Sequence, residues 1–114
     1  AIDVWGDGLQ TRSVLYIGEC IAATRRLMDS DFRGPVNIGS EEVVTINQLV
    51  DTAAKVASKC VQKIHIDGPL GVRGRNSNND LIREKLGWDY SQTLEEGIRK
   101  TYSWIENEIN RTQR

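Results

Sequence analysis

The chain has 114 residues, 39% of them hydrophobic, which is room for one small domain; a domain of that length buries roughly two thirds of the surface its unfolded chain exposes. Fifteen basic and 16 acidic side chains leave a formal net charge of −1, so nothing pulls it at long range toward nucleic acid or an anionic membrane, and any phosphate is bound locally. No apolar run approaches the roughly 20 residues of a membrane span, and no charged-then-apolar leader opens the sequence.

Taken in order, Ala1 to Trp5 alternates apolar and polar residues, turns at Gly6-Asp7-Gly8 and resumes extended character from Ser13 to Ile17. This predicts two strands, joined as a hairpin with a long loop. The sequence enters directly in strand-like residues and without Met, which reads as a piece of something longer. Ile17, Cys20, Ile21, Thr24, Leu27 and Met28 recur at helical spacing and predict a helix over about Glu19 to Asp29. Phe32 to Pro35 reads as a turn, and "PVNIGS" as a short strand ending near Gly39. Thr45 and Gln48 have the spacing of a capping box. Behind them Ile46, Leu49, Val50, Ala53, Val56 and Ala57 line one helical face. "VQKIHI" follows as a strand. Ser77 and Asp80 repeat the capping-box spacing ahead of Leu81, Ile82 and Leu86, with Gly87 as the stop. Thr93 and Glu96 repeat it again before a last helix through Ile109, with Glu95–Arg99 and Glu96–Lys100 pairs on its outer side. The fold class is α/β, in the order β-β-α-β-α-β-α-α, and no linker or repeat divides residues 1–114.

Few residues carry obvious chemistry. In "GVRGR" the guanidinium groups of Arg73 and Arg75 present planar forks that match phosphate oxygens. Gly71 and Gly74 let the backbone approach a ligand, and a helix starting near Ser77 would offer free amides to an anion. Each charge-assisted contact is worth about 1.5–3 kcal/mol. Solvation, or pairing with acidic neighbours, is the equally weighted alternative for both arginines. "WGDGLQTR" holds a G-x-G without the third glycine or the following helix of a dinucleotide loop, and is rejected as a cofactor site. Gln10, Thr11 and Arg12 are instead a compact polar set after a flexible turn. His65 has no ligand partners and reads as structural or solvated. Cys20 and Cys60 lack metal-ligand spacing and are expected to be buried free thiols. Trp5, Trp88 and Trp104 read as core or rim packing. The residues give no catalytic, cofactor-binding or metal-binding group.

Three runs, "VWGDGLQTRSVLYI", "RLMDSDFRGPVNIGSEEVVTINQL" and "GPLGVRGRNSNNDLIREKLGW", together resemble the GDP-mannose 3,5-epimerase family of extended short-chain dehydrogenases/reductases. The resemblance extends in the same order from about Val4 to Trp104. It implies the C-terminal, substrate-binding part of a Rossmann-type protein, and a whole-protein reaction that inverts two sugar carbons of GDP-mannose through transient oxidation by NAD. It places substrate contacts on Gln10, Thr11, Arg12 and Arg75, with Arg75 on the diphosphate and Arg73 second, as support for the loop or for phosphate. The family's NAD loop and its catalytic tyrosine, lysine and cysteine precede the matched region, so no NAD site is expected in this chain and Cys20 is not the catalytic cysteine. The run after Arg12 departs from the family pattern at Val14 and around Gly18, and Tyr90 stands where proline is common.

The expectation is a nucleotide-sugar-binding part, inactive without the remainder, with a GDP-sugar as its small-molecule partner, no nucleic acid or membrane partner, and a cytoplasmic location. The alternatives are a non-catalytic binding or oligomerisation module, or part of another nucleotide-sugar epimerase or dehydratase. An unpaired "PVNIGS" edge predicts a homo-oligomer, with exchange of elements between copies as one route.

Overall fold

The expected order of elements is the order found. The computed structural model describes residues 1–113, arranged as β1 (Ile2–Trp5), β2 (Thr11–Ser13), α1 (Ile17–Met28), β3 (Val43–Thr45), α2 (Ile46–Ala57), β4 (Lys63–Ile66), α3 (Asp80–Leu86) and α4 (Leu94–Thr112).

The pairing of the strands differs from the hairpin expectation. β1 runs parallel to β4, with Ile2 opposite Lys63 and Trp5 opposite Ile66, while β2 pairs antiparallel with β3, Thr11 opposite Thr45 and Ser13 opposite Val43. The turn after β1 is the physical reason. The Gly6 amide continues the β4 ladder to the Ile66 carbonyl at 2.8 Å, and the Gly8 and Gln10 carbonyls accept from the amides of Asn47 and Ile46 at 3.0 and 3.1 Å. The chain is thereby led toward the start of α2 and cannot fold back along β1.

The third strand also moves. "PVNIGS" forms no ladder among the described residues, although Val36 and Ile38 turn inward against the core. The β-branched run Val43-Val44-Thr45 takes the strand role because β2 offers it a partner.

The capping box at α2 is complete: Thr45 Oγ1 accepts from the Gln48 amide at 3.1 Å, and Gln48 Oε1 accepts from the Thr45 amide at 2.8 Å. Thr93 accepts from the Glu96 amide at the start of α4. The box expected at Ser77 and Asp80 does not form. Asn79 is fully buried, donates Nδ2 to the Gly39 carbonyl at 2.6 Å and its amide to Glu41 Oε2 at 3.2 Å, and accepts from Ser77 Oγ at 2.6 Å. It occupies the N-cap position with its side chain committed to these partners and not to the helix, and α3 begins only at Asp80. Gly87, at φ +63°, ends α3 as expected. On α4, Arg99 lies 3.6 Å from Glu95, but Lys100 sits over the Tyr16 ring, 5.2 Å from its centre, instead of pairing with Glu96.

The core gathers Ala23, Ile82 and Trp88, with Leu15, Val36, Ile38, Leu86 and Tyr90 packed around them. Of the three tryptophans only Trp88 is buried; Trp5 and Trp104 are exposed. Cys20 is half-buried, but Cys60 is exposed, because it follows the left-handed C-cap Ser58 and has left the packed face of α2. α1 turns Glu19 and Ala23 inward, so its apolar stripe of Ile17, Ile21 and Met28 faces outward, 60% or more exposed. Parallel strand pairs are normally covered on both faces, yet Trp5, Ile64 and Ile66, which share one face of the β1/β4 pair, are also exposed. The radius of gyration, 16.7 Å, exceeds the about 13 Å of a compact domain this long. The accessible surface is 7996 Å², against about 6,300 Å² for a folded monomer of this mass.

Candidate functional site

Two glycines shape the turn that begins the site. Gly6 and Gly8 have φ of +74° and +71°, backbone positions that side chains disfavour. The space where a Cβ on Gly8 would stand is filled by the Asn47 amide. Asn47 lies in the first turn of α2 and also donates Nδ2 to the Asp7 carbonyl at 3.0 Å. From the other side His65 reaches the Gly6 carbonyl with Nδ1 at 2.9 Å. A carbonyl only accepts, so this contact fixes the proton on Nδ1 and gives His65 the structural role expected of it.

The turn delivers Gln10, Thr11 and Arg12 onto β2, and there the two sequence runs that lie some sixty residues apart meet. The Thr11 amide donates to the Arg73 carbonyl at 2.9 Å and the Arg75 amide donates to the Thr11 carbonyl at 3.1 Å, a parallel rung that sets Thr11 opposite Gly74. A Cβ on Gly74 would come within 2.9 Å of Thr11 Oγ1, so a side chain there would have to displace the Thr11 hydroxyl. Arg73 and Arg75 flank that residue and leave the opposite face of the extended segment. Their environments differ. Arg73 forks onto Asp7, Nη1 to Oδ1 at 3.0 Å and Nη2 to Oδ2 at 3.1 Å. The hydrogen bond and charge of Arg73, together with the Leu9 amide, hold the Asp7 carboxyl below the usual aspartate range. Asp7 in turn raises the Arg73 guanidinium. Arg75 is exposed and has no side-chain partner among the described residues.

Gln10 is buried; its Nε2 reaches the Trp5 carbonyl at only 3.4 Å and its Oε1 has no partner. A buried acceptor left open costs free energy unless something supplies a donor. Gln10 and Arg12 line a groove of about 280 Å³ together with Trp5, Ile46, Pro69 and Leu70. Arg12 donates Nη1 to the Thr11 carbonyl at 2.7 Å. The start of α3 lies at Asp80, beyond Asn76–Asn79, so the helix end expected to assist Arg75 is not beside it.

The Gly6–Gly8 turn runs into a strand and not into a helix whose free amides could meet a pyrophosphate, and the Asn47 side chain fills the space beside Gly8. These residues do not fit a dinucleotide. Among the described residues no three metal-ligating side chains gather, and no helix is long and apolar enough to cross a membrane. Sequence reasoning missed Asp7 and Asn47. The signal for Asp7 is its place between two positive-φ glycines; the signal for Asn47 is its place two residues after a helix cap, facing a glycine that cannot be read without the fold.

No family model matches the chain. It is similar to GDP-mannose 3,5-epimerase of Arabidopsis thaliana, 51% identical over 109 residues, which cover 96% of this chain and 29% of that protein. GDP-mannose 3,5-epimerase 1 of Oryza sativa subsp. indica is 50% identical over the same length, and UDP-glucuronic acid decarboxylase 5 of Arabidopsis thaliana is 31% identical over 99 residues. The chain thus spans under a third of the length of these relatives, and the match falls on their C-terminal part. Among solved structures, UDP-glucose 4-epimerase of Thermotoga maritima with UDP-glucose superposes with a TM-score of 0.89 at 25% identity, covering 95% of this chain and 35% of that one. UDP-N-acetylglucosamine 4-epimerase of Methanobrevibacter ruminantium shares the fold at a TM-score of 0.87 and 23% identity.

Proposed function

We propose, from the premise that this chain belongs to the extended short-chain dehydrogenase/reductase family and is related to its GDP-mannose 3,5-epimerases, that it is the substrate-side part of a nucleotide-sugar epimerase and holds the diphosphate of a GDP-sugar. The observation that carries this reading is the rung between Thr11 and Gly74, which joins the Gln10-Thr11-Arg12 run to the Arg73–Arg75 run. A diphosphate needs cations that are not already neutralised, and Arg75 is exposed with its donors free. Arg12 stands in the groove beside Gln10, whose open Oε1 can accept from a ligand donor. Arg73, occupied by Asp7, is the weaker candidate for direct contact.

Transient oxidation of the sugar by NAD belongs to the whole protein, and the residues of this chain supply binding and orientation only. The chain by itself is expected to be inactive, as a portion lacking the NAD-binding part. The same reading places it in the cytoplasm as a homodimer. Self-association is supported by the exposed stripe of α1 and the exposed face of β1/β4, and a strictly monomeric species in solution scattering at high concentration counts against it.

Calorimetric titration with GDP-mannose, with UDP-glucose and free mannose as controls, tests the site. We expect micromolar binding selective for the GDP-sugar, weakened about tenfold or more by Arg75→Ala, as the loss of one charge-assisted contact implies. Equal affinity for UDP-glucose would shift the assignment to another nucleotide-sugar enzyme. A second reading, a non-catalytic oligomerisation module, draws on the uncovered α1 stripe; unchanged GDP-mannose affinity in Arg75→Ala favours it.

A further inference from the structure

Asp7 and Arg73 flank the place where the two runs meet at Thr11, and each is tied down apart from the contact between them, Asp7 twice and Arg73 once. Asp7 is held through its carbonyl by Asn47 Nδ2 and through its carboxylate by the Leu9 amide, at 3.0 and 2.9 Å. Arg73 is held through its carbonyl by the Thr11 amide, at 2.9 Å. The forked contact between their side chains closes a ring that contains Gln10, Thr11 and Gly74. Because Gly74 faces Thr11, fixing the Arg73 side chain fixes the plane of the extended segment and so the direction in which Arg75 leaves it.

We infer that Asp7 and Arg73 form a positioning latch that aligns Arg75 and the Gln10–Arg12 run, and that Arg73 acts through Asp7 and not as a phosphate ligand. This rests on reading Gln10–Arg12 and Arg75 as a diphosphate site. The two roles for Arg73 predict opposite signs. If Arg73 bound phosphate directly, Asp7 would compete with the ligand, and Asp7→Asn would free a cation and tighten binding. If the pair is a latch, Asp7→Asn leaves Arg73 unanchored and loosens the loop. An exposed, forked pair of this kind is worth about a twofold to fivefold change.

The test combines calorimetry with GDP-mannose and amide hydrogen exchange at Thr11 and Arg75, on the chain, Asp7→Asn, Arg73→Lys and the exchanged pair Asp7→Arg with Arg73→Asp. The latch predicts about twofold to fivefold weaker binding and faster exchange at both amides in each single variant, with exchange recovered in the exchanged pair. Arg73→Lys keeps the charge but loses the fork, so its weakening separates geometry from charge. Tighter binding in Asp7→Asn, or unchanged exchange at Thr11 and Arg75, overturns the latch. If the parent chain binds no GDP-mannose the diphosphate reading fails, and the exchange comparison, which needs no ligand, still decides the latch.

Discussion

Two regions of this chain are built on different terms. Around Ala23, Ile82 and Trp88 the elements are packed and most polar groups are paired, Glu19 Oε2 and Gln92 Oε1 being exceptions: Asn79 is fully buried and hydrogen-bonded to Ser77, Gly39 and Glu41, Glu41 takes the Arg83 fork at 2.6 and 3.0 Å, and Glu42 accepts from the Leu94 amide at 2.8 Å. Glu19 likewise accepts from the Ser91 amide and hydroxyl and the Gln92 amide. Around β1 and β4 it is otherwise. Val4 is buried, but Trp5, Ile64 and Ile66 are open, and among the described residues neither Gln10 Oε1 nor the Arg75 side chain has a partner. One region is packed around its own core; the other leaves apolar surface uncovered, so the contrast between them lies in apolar burial more than in unpaired polar atoms, which occur in both.

The largest effect that sharpens this contrast is on stability. Ile82→Ala empties a fully buried position and is expected to lower the unfolding free energy by about 2–5 kcal/mol. Ile64→Ala, on the open face, should change it by about 0.5 kcal/mol or less in the isolated chain. Urea denaturation followed by circular dichroism reads both, and similar losses at the two positions would mean that β1/β4 is covered in solution.

Next come the two buried amides. Asn79→Ala leaves the Gly39 carbonyl and Ser77 hydroxyl without their partners and should cost about 1–3 kcal/mol. Gln10→Ala removes one weak bond and one orphaned acceptor, so its stability cost should be under about 1 kcal/mol, while GDP-mannose affinity falls. A Gln10→Ala variant as unstable as Asn79→Ala would show that Gln10 is packing and not site. Smaller still, Ile21→Ser on the outward stripe of α1 should leave stability within about 0.5 kcal/mol and reduce self-association in sedimentation, since the side chain is 60% exposed.

What the sequence made legible follows the same division. Local signals survived: the box at Thr45 and Gln48, the stop at Gly87 and the cap at Thr93 all depend on residues within one turn of each other. Long-range ones did not. The β1–β4 pairing spans nearly sixty residues, and nothing in Ala1 to Trp5 announces that Ile66 will receive the Gly6 amide. The box at Ser77 did not form because Ser77 Oγ is spent on Asn79, which Gly39 and Glu41, about forty residues away, hold in place. The outward turn of Ile17, Ile21 and Met28 contradicts helical periodicity, because Glu19 on the other face is drawn in by Ser91 and Gln92. At the site, the five expected residues were legible as donors and acceptors, and the rung that assembles them was not. Neither was Asp7, whose role depends on Arg73 reaching it.

The smallest expected effect is with pH, and its sign follows from the latch. Asp7 is held below the ordinary aspartate range by the Arg73 hydrogen bond, the Leu9 amide and the charge of Arg73. A carboxyl whose pKa is lower folded than unfolded adds stability that is present above its unfolded value and is lost as pH falls through the folded one. Arg73 is raised above its already high value by Asp7; a base raised on folding contributes stability that is full below its unfolded value and is lost as pH rises through the folded one. Both partners are therefore charged from mild acid to mild base, and Thr11 and Arg75 exchange protection, corrected for intrinsic rates, should be flat between about pH 5 and 8. It should fall only under acid conditions, below the ordinary aspartate value. Asp7→Asn should abolish that acid step while lowering protection everywhere above it, so protection that already drops near neutral pH in the parent chain would count against Asp7 as the group that holds the latch.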